Sequence, residues 1–155
     1  MGKINKKYKA NIYRDSWAID VAFYAWLLPR LKAFRDYTNG WPDQLYDTFE
    51  DFIADIDEKI KWLEFLYKAT CNRKDIKITK EEIDSLFNEE MNDKYYEGDW
   101  RYWLSLKPLH VKCGDFEKIY DKDESDYILK QEILTNVLGK AFGEWFGKNY
   151  STLWW

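Results

Sequence analysis

The chain has 155 residues and a formal net charge of −4, with 24 basic and 28 acidic side chains. That length suits one domain burying about two-thirds of its unfolded surface, and that charge argues against a broad basic face for duplex nucleic acid while leaving room for a local pocket. Two cysteines without a CxxC partner, Cys71 and Cys113, fit a reducing cytoplasm better than a disulfide framework. Aromatics make up 19% of the chain, with nine Trp and twelve Tyr; such rings serve a core and self-association, or a ligand platform.

Residues 1–14 read as a basic, flexible arm with no apolar run of signal-peptide length behind it, and residues 15–155 as a single helical domain. Helix A starts at Asp15 or Ser16, each able to accept from the free N–H groups of a first turn. At 100° per residue Ile19, Phe23, Tyr24, Trp26, Leu27, Leu31, Phe34 and Tyr37 share one wide face. Pro29 removes a backbone donor inside the pattern and predicts a kink, and Thr38-Asn39-Gly40 followed by Trp41-Pro42 ends the helix. The longest apolar run, Val21 to Leu28, is far short of the roughly 20 residues of a membrane span.

Helix B starts at Thr48, with Asp51 three residues on in an approximate capping box, and carries the stripe Phe49, Phe52, Ile53, Ile56, Ile60, Leu63, Tyr67. The link over 39–47 suits an antiparallel pair with helix A. Trp62 and Phe65 point off the stripe, which predicts a second contact side for packing or oligomer formation. Thr79 and Glu82 cap a short helix C bearing Ile83, Leu86, Phe87 and Met91. The aromatic-rich segment at about 95–120 reads as irregular: alternation at Trp100, Tyr102 and Leu104 permits a strand, Asp99 permits a helix cap, and a short hairpin from about Tyr102 to Phe116 is an option. "YDKDESD" reads as a solvated connector, with Ser125 as cap of helix D. Leu134, Val137, Leu138, Ala141, Phe142, Trp145 and Phe146 give helix D its apolar face, beside a ridge of Gly139, Gly143 and Gly147. Each mid-helix glycine costs on the order of 1 kcal/mol against alanine, so the ridge predicts close helix packing or a backbone pocket wall. The predicted fold is an all-α bundle of about four main helices.

Asp20 falls in projection within helix A's apolar face, where a carboxylate must be paired, hydrogen-bonded or protonated; it serves as a core tie or as a ligand anchor. Arg30 lies toward the same side, and a guanidinium among tryptophans can take a phosphorylated ligand or a surface ion pair. His110-x-x-Cys113 supplies two ligands, too few for structural zinc. GxSxG, P-loop, GxGxxG, HExxH and EF-hand patterns are absent, so catalytic residues, metal and cofactor are all expected to be none.

"DSWAIDVAFYAWLLPRLKAFRDYTNGWPDQL", "FEDFIADIDEKIKWLEFL" and "LGKAFGEWFGKNYSTLWW" together resemble a group of small helical proteins encoded by bacteriophages and prophages, in which a Trp–Asp helix with an LPRL turn precedes a G-x-P loop and an aromatic C-terminal helix closes the chain. The likeness covers roughly two-thirds of the sequence, omits residues 68–124, rests on packing motifs and carries over no catalytic residue. It implies a phage product in the cytoplasm of the infected bacterium, antagonising host defence by binding. One route sequesters a nucleotide-type immune signal through Arg30, Trp41, Trp100 and Trp103, with Asp20 as anchor. The other docks on a host defence protein through Asp55, Asp57, Glu58 and Trp62, and a third role is structural, in phage assembly. Apolar residues beyond one buried stripe on helices A and B also predict a homo-oligomer.

Overall fold

A computed structural model describes residues 19–71, 75–106 and 110–153. Among these the protein is 72% helical, with six α-helices and one two-stranded sheet, the all-α class read from the sequence. The predicted arm, the start of helix A and Trp154-Trp155 lie outside the described residues. The described residues fall into two compact units, one of residues 19–71 with 151–153, the other of residues 75–106 with 110–150.

In the first unit α1 (Ile19–Tyr37) lies beside α2 (Phe49–Thr70). Lys32 pairs with Glu64 at 2.8 Å and Arg35 with Asp57 at 2.7 Å, so the two chain directions oppose, as expected. The helix runs unbroken through Pro29. Thr48 caps α2 by accepting from the Asp51 N–H at 3.0 Å, which satisfies one of the orphan donors of the first turn. Leu27, Leu31 and Phe34 of α1 are buried, with the Phe34 ring edge-on to Phe52 at 6.1 Å.

The wide apolar face expected for α1 is split: Ile19, Trp26 and Tyr37 are exposed. The face of α2 is broader than its predicted stripe, since Trp62, Phe65 and Leu66 are buried as well. Buried with them is Lys59, whose ammonium pairs with Asp55 at 2.7 Å and lies 4.1 Å from the Trp62 ring centroid.

In the second unit α3 (Lys80–Leu86), α4 (Glu89–Tyr95) and α5 (Trp100–Ser105) all touch α6 (Lys122–Asn149). A core of Trp100, Ile133 and Val137 is lined by Phe87, Met91, Tyr95, Tyr96 and Leu104. The single helix C of the sequence is two helices, because Asn88 leaves the helical conformation and caps α4 by accepting from the Met91 N–H at 3.0 Å. Asp99 caps α5 at 3.1 Å from the Tyr102 N–H, so 100–105 is helix and the hairpin comes later. It pairs β1 (His110–Cys113) antiparallel with β2 (Phe116–Ile119) around Gly114 at φ 59°, a left-handed turn position that suits glycine.

The acidic run is not a connector. Asp121 caps α6 at 2.8 Å from the Glu124 N–H, and Asp123 and Glu124 fill its first turn, where the helix dipole favours acids. Ser125, the expected cap, is inside the helix and buried. The glycine ridge is also corrected. Gly143 and Gly147 are exposed, a Cβ built on either meets nothing within 4 Å, and Gly139 is half-buried. No described helix is long and apolar enough to cross a membrane.

Candidate functional site

The C-terminal end of α1 opens into a cleft of about 300 Å³. Backbone bonds shape it: the Thr38 N–H closes the helix on the Phe34 carbonyl at 2.8 Å, and the Leu45 and Tyr46 N–H groups both donate to the Pro42 carbonyl. Within that turn the Thr38 hydroxyl donates to the Gly40 carbonyl at 3.1 Å and the Trp41 indole N–H to the Tyr46 carbonyl at 3.2 Å. The indole is therefore anchored by its polar edge and by the Phe49 ring at 6.1 Å, yet stays 42% exposed. Phe34 and Trp41 supply apolar walls, and Thr38, Asn39, Ser151 and Thr152 supply hydroxyl and amide groups. Among the described residues that line the cleft there is no lysine, arginine, aspartate or glutamate. An α1 C-terminus also presents carbonyls, which repel anions. The cleft is thus chemically suited to a neutral, flat, heteroaromatic group that stacks on Trp41 and exchanges hydrogen bonds with the short polar side chains.

Trp41 is the predicted ligand residue that lines this cleft. Asp20, expected amid the apolar face, is exposed in the first described turn of α1. Its angle was right, but its position along the axis lies beyond the buried Leu27–Phe34 stretch. Its reach is felt at Tyr24, whose phenol is pushed up first by burial and then by the Asp20 charge. Arg30 is exposed and folded back on its own helix, its guanidinium 4.5 Å over the Trp26 ring and donating to the Trp26 carbonyl at 2.7 Å.

Trp100 and Trp103 belong to the second unit. Trp100 is a core residue at 5% exposure. Its N–H donates to Asp93 at 2.9 Å, Phe87 stands edge-on at 5.6 Å and the Arg101 guanidinium covers a face at 4.2 Å. Arg101 and then Trp100 hold the Asp93 carboxyl below its ordinary value. That ring is structural. Trp103 is 44% exposed, edge-on to an exposed Tyr102 at 6.0 Å.

A second cleft of about 270 Å³ lies within the second unit, and the sequence places part of its lining, Lys118, Tyr120 and Glu124, in an irregular segment and a connector. Ile78, Ile83 and Ile128 floor it, and Tyr120 and Tyr127 flank it. Lys118 lies 4.4 Å from the Tyr120 ring centroid and Lys80 4.8 Å from that of Tyr127. Lys80 is already paired with Asp123, and the Tyr127 hydroxyl donates to Asp84 at 2.7 Å. That bond, then burial and the charges of Asp84, Asp123 and Glu81, pushes the phenol up to about 12. The described lining thus carries two lysines, one of them held by Asp123, and one acid, Glu124.

The acidic docking set is spent inside its own unit. Asp55 holds Lys59 and accepts from the Tyr46 hydroxyl at 2.5 Å, Asp57 holds Arg35, Glu58 lies 3.3 Å from Lys59, and Trp62 is buried. His110 pairs with Glu117 at 2.5 Å, three residues and hence the opposite strand face from Cys113. No set of three potential metal ligands occurs among the described residues.

Comparison with known proteins places the chain beside none of them: no protein-family model, curated protein or solved structure matches it.

Proposed function

We propose that the protein is a phage-encoded accessory protein of the infected bacterial cytoplasm that acts by binding, without catalysis, and sequesters a nucleotide-type immune signal. The carrying observation is the Trp41 cleft. It joins a half-exposed indole held rigid by its own N–H to a neutral rim of Thr38, Asn39, Ser151 and Thr152. That combination recognises a nucleobase by stacking and edge hydrogen bonds. The described lining is neutral, which favours entry of the base over entry of the phosphates.

The test is native mass spectrometry of the protein purified from infected, defence-active cells, followed by calorimetric titration with the released compound. A carried species of a few hundred daltons with nucleotide absorbance, whose binding drops at least tenfold in Trp41→Ala, supports this reading. A chain that carries nothing refutes it, and so does a ligand that Trp41→Ala still holds.

The exposed Tyr102–Trp103 pair favours a second reading, docking on a host defence protein, since exposed aromatics are preferred anchors at interfaces. Co-purification of a host polypeptide, lost in a Tyr102→Ala/Trp103→Ala variant, would select it.

A further inference from the structure

The second cleft has an apolar floor and two ammonium groups of unlike standing. Ile78 lies just before the Thr79 cap of α3, Ile83 is on the buried side of α3, and Ile128 is on α6. Tyr120 stands immediately before Asp121, the cap of α6, so the start of that helix sets the position of its ring. Tyr127 is one turn into α6, and its hydroxyl donates to Asp84 of α3, which ties the two helices together beside the floor.

The charges around this floor are matched but for one. Lys80 is paired with Asp123, and Asp121 and Glu124 add to the negative field at its ammonium. Glu124 therefore faces a cation already, and as a first-turn acid of α6 it is also favoured by the helix dipole. Asp84, the acid at Tyr127, lies 3.9 Å from the Lys130 ammonium. Lys118 differs. Its ammonium lies 4.4 Å from the Tyr120 ring centroid, and among the described residues no carboxylate pairs with it. A ring face is a weaker partner for an ammonium than a carboxylate is.

We propose that this cleft binds a small amphipathic monocarboxylate, its apolar body on Ile78, Ile83 and Ile128 and its carboxylate on the Lys118 ammonium. The head group follows from the charges. A ligand with two negative charges would find one cation unmatched and would meet the field of Asp84, Asp123 and Glu124. A cationic ligand would be repelled by Lys118 and would find those acids already engaged.

The volume sets the size of the body. At about 270 Å³ the cleft falls just below the roughly 300–1,000 Å³ of drug-sized sites. With about 30 Å³ for each water-sized group, some nine or ten carbon-sized groups fill it, the size of an eight-carbon chain with its carboxylate. The cleft lies within the second unit and the Trp41 cleft within the first, so the proposal stands independently of any ligand bound at Trp41.

The test is an NMR titration of the nitrogen-15-labelled full chain with sodium octanoate, with hexanoate, 1-octanol and octylammonium beside it. Octanoate should bind with a Kd below about 1 mM, and the largest amide shifts should fall around Ile78, Ile83, Lys118, Tyr120 and Ile128. Hexanoate, two methylenes shorter, should bind roughly tenfold more weakly. Lys118→Met keeps most of the stem at an exposed strand position. It should weaken octanoate about fivefold while leaving the affinity for uncharged 1-octanol and the melting point as they were. Four results overturn the proposal: no octanoate binding up to about 10 mM, octylammonium binding as tightly as octanoate, a Lys118→Met protein that holds octanoate as well as the wild type, or shifts that concentrate in α1 and α2.

Discussion

The most exacting perturbation is Asp55→Ala. Lys59 has 8% of its side chain exposed, and its ammonium lies 2.7 Å from Asp55, 3.3 Å from Glu58 and 4.1 Å from the Trp62 ring centroid. Removing one member of a buried ion pair costs about 3–5 kcal/mol, because the other charge stays buried without its counter-ion. Asp55 is a quarter exposed and Glu58 remains, so the loss belongs at the lower end, about 2–3 kcal/mol. The Tyr46 hydroxyl also loses its acceptor. Lys59→Met removes the buried charge itself while keeping most of the stem, and strands only a carboxylate that water reaches; its cost is about 1 kcal/mol. The double variant should then cost little more than Lys59→Met alone, a coupling of about 2 kcal/mol. Urea unfolding of the four proteins, followed by circular dichroism with m-values compared, measures each term. Additive single effects, or a loss below about 0.5 kcal/mol in Asp55→Ala, would show that Asp55 is a surface acid after all. It would then be free for the docking role that its sequence context suggested.

Gly143→Ala should stabilise the protein by about 0.5–1 kcal/mol, since helix propensity rises and nothing stands where the methyl goes; a lower melting point would restore the glycine ridge as a packing surface. Tyr127 titrates near 12 in the fold against about 10 when unfolded. Its bond to Asp84 therefore contributes stability that is intact below pH 10 and lost as the pH rises from 10 toward 12. Alkaline absorbance titration should show one late tyrosinate that Tyr127→Phe removes and Asp84→Asn brings earlier. Asn92 is fully buried on α4, and neither side-chain polar atom has a hydrogen-bond partner among the described groups. An unpaired buried amide costs about 1–3 kcal/mol and a slightly larger leucine gives part of that back as crowding. Asn92→Leu should therefore raise the melting point by a few degrees, whereas a fall would mean that the amide is satisfied in solution.

Elements with a local cause were legible. Thr48 and Thr79 cap through N–H groups three residues on, a relation wholly contained in four consecutive residues, and both helices start where that spacing puts them. Asp121 obeys the same rule, but it sits in a run so acidic that solvation looked like the simpler reason for its composition. Angular position was legible too, and axial position was not. Asp20 and Leu31 project alike, yet one is exposed and the other buried, because how far along a helix its cover extends is set by the rest of the chain. The glycines failed for the same reason: a spacing of four names a face without naming what stands opposite.

The candidate site follows this division. Trp41 could be picked out because an aromatic beside Gly40 and Pro42 lies in a loop, and loops positioned by rigid elements carry binding groups. Trp100 could be picked out on the same composition, and was spent on the core. What separates them is the cover over each ring, and the indole N–H shows where that cover comes from. Trp41 donates to a backbone carbonyl five residues on, inside its own turn. Trp100 donates to an aspartate on the preceding helix, and that bond, with Arg101 over the ring, turns an apparent ligand platform into a bolt between α4 and α5. An indole bonded by its edge inside an exposed loop keeps a face to offer, whereas the face of Trp100 is taken by burial and by Arg101.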